Sequence, residues 1–472
     1  MNFKQKFLEE LKKIEIWISI AGIITATAIF ISWFFGTENI SVEGGIAAVL
    51  SFLLFVIVCL RFVPEFTEFW RMKAPPDNKI YTEIKTDKKE INITALKVFF
   101  LLNFVCFFII IIVYALRCAL HGVQPLSESL TFWECLDSGH YLDIAKDWYL
   151  SDGEWDRLVQ LVFLPGYPLI IKIFNVLFDN YLYASLAVSS ICFGAAGAMF
   201  YKLMRIDCDK QTSLRALKFL CLIPGIFFFV APMSESLFLL CSVSCIYFAR
   251  KRKWFFACVF GGYAAFTRTL GLVLIVPLIM EFINYLVNKE YVEERRTPHV
   301  REKVFVFLNA FSIFLIPAGF AVYCYINYKV SGDPFKFLYY QKEHWSQEFG
   351  WFFNTASYQT EHLISSAKDN FSTMLGLWIP NLLSSFSTLV LLIFTVKKLR
   401  ASYSAYAIAY FVAAIGATWL LSGPRYLLAL FVIPVGISTL TENRKADTIF
   451  TIVFTAASVF YLYAFVMRWQ VW

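Results

Sequence analysis

Apolar runs of about twenty residues, separated by short polar or basic connections, recur along nearly the whole chain. A helix of that length crosses a hydrocarbon core of roughly 30 Å, so the pattern predicts an all-α polytopic membrane protein. The first two runs lie near residues 15–35 and 45–63, joined by the loop GTENISVEGG. Residues 64–96, with APPDNK and the mixed run KTDKKE, read as a solvated linker. A third run at 97–116 leads into a polar, aromatic stretch at 133–168, WECLDSGHYLDIAKDWYLSDGEWDRLVQLVFLPGYP. The run at 165–178 is short and carries Lys172, which suits a helix lying in the interface better than one crossing the membrane. Further runs follow at 181–203, 214–232, 234–249, 254–267, 269–287 and 304–328, then an outer loop at 329–371. The last runs, at 372–396, 402–421, 424–440 and 448–467, bring the expectation to about thirteen spans. The chain divides into an amino-terminal helix pair with its linker, 1–96, and a main membrane domain, 97–472.

Charge gives the orientation. Lysine and arginine gather in short connections, as in Arg61, Arg71 and Lys73, the run RKRK, and Lys289, Arg295, Arg296 and Arg301, which marks those connections as cytoplasmic. Residues 117–180 and 329–371 are then external. The same distribution accounts for the net charge of +7 without nucleic acid as a partner. With 59% hydrophobic and 16% charged residues the chain has too little polar surface for a soluble protein. The basic start MNFKQKFLEELKK has no small-residue cleavage pattern after its apolar run and reads as preceding an uncleaved first span. Most of the 11 cysteines lie within apolar runs, where they act as small hydrophobes; only Cys118 and Cys135 are placed to face the exterior together.

Candidate chemistry centres on the external stretch. Asp137 opens a helix whose first turn is DSGH, where its carboxylate either caps the helix or serves as a general base at the membrane surface. His140, one turn on, is either a packed structural residue or a contact for a phosphate or substrate hydroxyl. In PMSESLF, Ser234 is a helix cap and Glu235 sits in the first turn, on the same external face as Asp137. Arg268 and Arg425 are cations held against the orientation bias; snorkelling can explain Arg268, whereas Arg425 suits a phosphate held by paired hydrogen bonds. In SGDPFKFLYYQKEHW, Asp333, Gln341 and Trp345 are candidates, with Gln341 and Trp345 sharing a helix face and Phe335 and Leu338 facing lipid or core. An aromatic beside an amide can seat a sugar or anchor a helix at the interface. No glycine-rich nucleotide loop and no metal-ligand spacing is present, and the D-x-D pair Asp207 and Asp209 falls in a cytoplasmic loop. No cofactor is therefore expected, and a nucleotide-sugar donor with a bridging metal is disfavoured.

Taken in order, WECLDSGHYLDIAKDWY, FLPGYPL, SESLF, FTRTLGL, SGDPFKFLYYQ and GPRYLLALFVIP resemble motifs of the PIG-V family of mannosyltransferases and its bacterial relatives over roughly residues 97–440. The resemblance implies a GT-C glycosyltransferase fold with interfacial helices in the first large external loop, and a sugar taken from a polyprenyl phosphate. It implies Asp137 as the catalytic carboxylate. It places the family's other positions on His140, Tyr141, Pro165, Tyr167, Glu235, Arg268, Gln341 and Arg425. This sequence departs from the family in having Leu136 directly before Asp137, with the tryptophan displaced to Trp133, and in a second motif that begins Leu-Pro. The implied partners are a polyprenyl-phosphate sugar, a glycolipid, glycan or protein acceptor, and membrane lipids. The implied location is a bacterial cell membrane, or the endoplasmic reticulum in a eukaryote. A transporter or flippase of lipid-linked sugars is the alternative; it calls for polar residues near the bilayer midplane and an internal repeat, and the sequence has neither.

Overall fold

The computed structural model describes residues 3–69, 87–149, 158–292 and 300–472. Over these the protein is helical, with only an isolated bridge between Phe349 and Ala417 in extended pairing. Eight helices or helix pairs among the described residues are long and apolar enough to cross a membrane, which makes this a multi-pass membrane protein. The longest are α1 (Phe3–Gly36), α2 (Val42–Phe69) and α3 (Lys88–His121). The expected linker is shorter than the charge pattern suggested. Helix α2 continues through Pro64 to Phe69, and α3 starts at Lys88, where the Asp87 carboxylate accepts the Lys89 amide at 2.8 Å. Residues 70–86, with Arg71 and Lys73, lie outside the described residues, as do 150–157 of the polar stretch and Arg295 and Arg296.

After α3 come α4 (Ser138–Asp147) and α5 (Gly166–Phe178), the latter apolar but only 13 residues long. Next are α6 (Tyr181–Asp207), α7 (Lys210–Leu222), α8 (Glu235–Arg250), α9 (Trp254–Thr267) and α10 (Ile275–Val292). The run expected as a span at 214–232 is not one helix: Ile223, the residue before Pro224, is extended (ψ 131°) and ends α7. Proline clashes with a helical conformation in the residue before it. Beyond lie α11 (Val300–Ser312), α12 (Leu315–Ser331), α13 (Lys336–Trp345), α14 (Phe352–Asp369), α15 (Ile379–Thr395) and α16 (Ala401–Ile415). The run at 424–440 is likewise two helices, α17 (Gly423–Leu428) and α18 (Val432–Leu440), before α19 (Arg444–Val466). A continuous helix would drive the Pro434 ring into the carbonyl four residues back, and the chain turns there instead.

Helix α6 is the central post, packed between α3 and α8. The other side of α3 exposes Phe100, Phe104, Phe107 and Phe108, a face suited to lipid. The α1–α2 pair packs against α14: Phe55 meets Phe352 at 4.7 Å, and the Glu361 carboxylate accepts the Ser41 amide at 2.9 Å. Helices α9 and α12 cross backbone to backbone. A Cβ on Gly319 would stand 1.9 Å from the Gly262 carbonyl oxygen, so the crossing requires glycine.

Candidate functional site

The polar stretch turns sharply before α4. Leu136 adopts a left-handed conformation (φ 55°), which costs a bulky residue roughly 1–2 kcal/mol. The Ser138 hydroxyl donates to the Cys135 carbonyl at 2.5 Å and closes the turn. Asp137 stands at the helix start, but its side chain accepts no amide from the first turn. Its carboxylate instead pairs with the guanidinium of Arg425. The capping reading of Asp137 is thereby corrected: the ion pair outcompetes the local cap. Trp133 is fully buried against Phe132 and Phe465 and belongs to the core.

Arg425 lies on α17, whose start is anchored by a buried amide. Asn381 accepts the Gly423 N–H at 2.8 Å and donates to the Leu421 carbonyl at 2.9 Å. The Nε of Arg425 lies 2.9 Å from Oε1 of Glu235, close enough for charge attraction although the N–H is not aimed as a hydrogen bond. The same oxygen accepts Nη1 of Arg268 at 2.5 Å. Glu235 is completely buried at the start of α8, so its carboxylate is balanced by these two cations rather than by water. The result is a chain of alternating charge, Asp137, Arg425, Glu235, Arg268, with two negatives facing two positives. The Tyr426 ring lies 4.9 Å from the Arg268 guanidinium and 5.8 Å from that of Arg425. Ser234 offers no cap either; its hydroxyl meets the Tyr141 hydroxyl at 3.2 Å.

The proline motif supports this cluster from below. Pro165 starts α5, and the buried Tyr167 hydroxyl meets Ser189 at 2.7 Å, fixing α5 to α6. Between them, Gly166 lies against the end of α9, where an added Cβ would come within 2.5 Å of the Thr267 hydroxyl and 2.9 Å of the Phe266 carbonyl. The Gly166 carbonyl in turn accepts the Tyr263 hydroxyl at 2.8 Å. That contact sets the position of Thr267, and so of Arg268 beside it.

A cavity of about 430 Å³ opens over the charged cluster, with Asp137, Tyr141, Arg268 and Arg425 in its wall. Gln341 and Trp345 of α13 also line it, as do Trp419 and, beside the cations, Tyr426. Phe335 and Leu338 point away and are exposed. Thus residues from four separated stretches of sequence meet around one space of a size suited to a small polar ligand. His140 is not in the wall. Its ring stacks on Phe163 at 4.6 Å, edge-on to Trp345, and burial pushes its pKa below the ordinary value against the pull of Asp137 and Asp143. It is a neutral ring that backs two lining aromatics. Burial likewise pushes the Tyr141 hydroxyl up to about 12, leaving it a hydrogen-bonding group at neutral pH. Asp333 is exposed and accepts the Phe335 amide at 2.9 Å, a turn contact outside the cavity wall.

Sequence reasoning missed Asn381, although a lone amide inside an apolar run was an available signal. It also missed Tyr426 as a ring over both guanidinium groups, and Trp419, for which the sequence carries no mark. Cys118 and Cys135 are both free, and no three His, Cys, Asp or Glu side chains among the described residues gather as a metal site would require. Compared with known proteins, the chain matches no family model, and no curated protein matches it.

Proposed function

We propose that the protein is a membrane glycosyltransferase of GT-C type that moves a sugar, mannose by the motif resemblance, from a polyprenyl phosphate to a hydroxyl acceptor on the external face. The observation that carries this reading is the juxtaposition, in one cavity wall, of the carboxylate of Asp137 and the guanidinium of Arg425 with the amide and indole of Gln341 and Trp345. Arginine grips a phosphate through its planar fork, an indole face supports a sugar ring, and a partly exposed carboxylate can accept a hydroxyl proton.

In the resting protein Arg425 is shared by Asp137 and Glu235. A donor phosphate reaching the cavity competes with Asp137 for Arg425 and frees that carboxylate beside the sugar. The acceptor oxygen then bonds to the anomeric carbon as the bond to phosphate breaks. Asp137 takes the acceptor proton, and the polyprenyl phosphate leaves carrying the electron pair, its charge met by Arg425 and Arg268. Configuration at the anomeric carbon inverts.

Two measurements test this. Protein reconstituted with polyprenyl-phosphate mannose and a cell lipid extract should yield a mass-shifted acceptor; no product from any lipid-linked sugar removes the proposal. Asp137→Asn should lower turnover by about 100-fold or more while donor binding persists or tightens, because the competitor for Arg425 has lost its charge. Near-normal transfer by that variant would exclude the proposed base.

A further inference from the structure

The protein holds a second charged cavity, at the far end of the helices that carry the first. Glu235 and Arg250 terminate α8, about 22 Å apart at 1.5 Å per residue. Around Arg250 lies a cavity of about 480 Å³, lined by Arg250, Lys251, Arg252 and Arg400 with Asp207 and Glu281. Both carboxylates are fully engaged. Asp207 takes a forked pair from Arg250, with Nη2 at 2.6 Å, and the Tyr403 hydroxyl at 3.1 Å. Glu281 takes Nε and Nη2 of Arg400 at 2.5 and 2.8 Å and the Ser402 hydroxyl at 2.5 Å. Lys251 and Arg252 have no carboxylate partner among the described residues, so the wall carries two uncompensated positive charges.

The helix ends around this wall carry both signs. Helix α9 begins at Trp254 and α16 at Ala401, just after Arg400, and neither start is capped by a side chain. These two positive ends meet the cavity beside the carboxyl ends of α6 at Asp207 and α8 at Arg250, so the sign of the wall is set by Lys251 and Arg252. Trp254 is buried and packs edge-on to Phe282 at 5.0 Å, which fixes the start of α9. The turn that carries Lys251 and Arg252 is already set by backbone hydrogen bonds, from Arg252 to Ala249 at 2.9 Å and from Lys253 to Phe248 at 2.8 Å. A ligand would therefore pay little to order it.

We infer that this cavity binds a phosphate or diphosphate group, at the membrane face opposite the Asp137 site. The group can come from a soluble phosphate or from the headgroup of an anionic lipid. The inner pairs Arg250 with Asp207 and Arg400 with Glu281 hold the walls, while Lys251 and Arg252 supply the charge that attracts the ligand.

The test uses full-length protein in neutral-lipid nanodiscs. One arm adds inorganic pyrophosphate, the other adds phosphatidylglycerol to the bilayer, and both are followed by thermal unfolding and by calorimetry. A stabilising shift in either arm is expected and identifies the source. The double variant Lys251→Gln with Arg252→Gln, altering two exposed residues, should weaken the binding at least tenfold. Leu338→Ala, on the exposed side of α13 and away from both cavities, should leave it intact. Absence of a shift in both arms, binding unchanged in the double variant, or binding abolished by Leu338→Ala would each overturn the inference.

Discussion

Glu235 is the least replaceable residue of the charged cluster, because it is completely buried and one of its oxygens faces two guanidinium groups. Removing its charge leaves Arg268 and Arg425 facing each other without an anion between them. Breaking a buried pair in this way costs about 3–5 kcal/mol. Glu235→Gln should therefore unfold earlier on heating in detergent, and Glu235→Gln combined with Arg268→Met should recover part of the loss, since the unpaired cation is gone. Equal stability of Glu235→Gln and the parent would mean that water or lipid already screens this site. At this scale the sequence was legible in part. Asp137, Glu235, Arg268 and Arg425 stand out as polar residues beside apolar runs. Their pairing was not legible, because Asp137 and Arg425 lie 288 positions apart and no local spacing encodes such a contact.

Helices were legible wherever an apolar run is uninterrupted, as in α2, α3, α6 and α19. The runs at 214–232 and 424–440 were misjudged because mean hydropathy does not register Pro224 or Pro434, whose effect is on backbone geometry. Short elements nevertheless carry the site: α4, α5, α13 and α17 deliver side chains or contacts to the cavity from between the longer helices. The packing of α5 on α9 through Gly166 makes a prediction at this scale. Gly166→Ala introduces a methyl group that the Phe266 backbone cannot easily avoid, and overpacking of this kind costs about 1–3 kcal/mol. Arg268 should shift with Thr267, so donor binding should weaken more than overall folding does. A variant with unaltered donor affinity would show that α9 moves independently of α5.

For the whole molecule, the basic turn at Arg250 to Lys253 and the Asp137 cavity lie at opposite ends of α8, α9 and α16. A single orientation must then place Ser127 and Ser346, both exposed, on one side of the membrane and Lys251 on the other. Single cysteines at these positions in a cysteine-free chain should label from outside at Ser127 and Ser346 and stay protected at Lys251. Labelling of all three would rule out opposite faces for the two cavities.

The long separation of Asp137 from Arg425 also bears on how the protein is made. At typical synthesis rates the ribosome needs roughly 15–60 s to progress from one to the other. During that interval Glu235 already has Arg268, which follows 33 positions later, but Asp137 has no partner. Arg425 arrives last and joins both carboxylates, so a chain stopped before it resembles a Glu235→Gln protein in reverse, with an anion in excess. A full-length Arg425→Ala chain, which keeps every helix and lacks only this cation, should turn over faster in a pulse-chase experiment than the parent. Completion of the charge cluster would in that case act as the cell's signal that translation has run to its end.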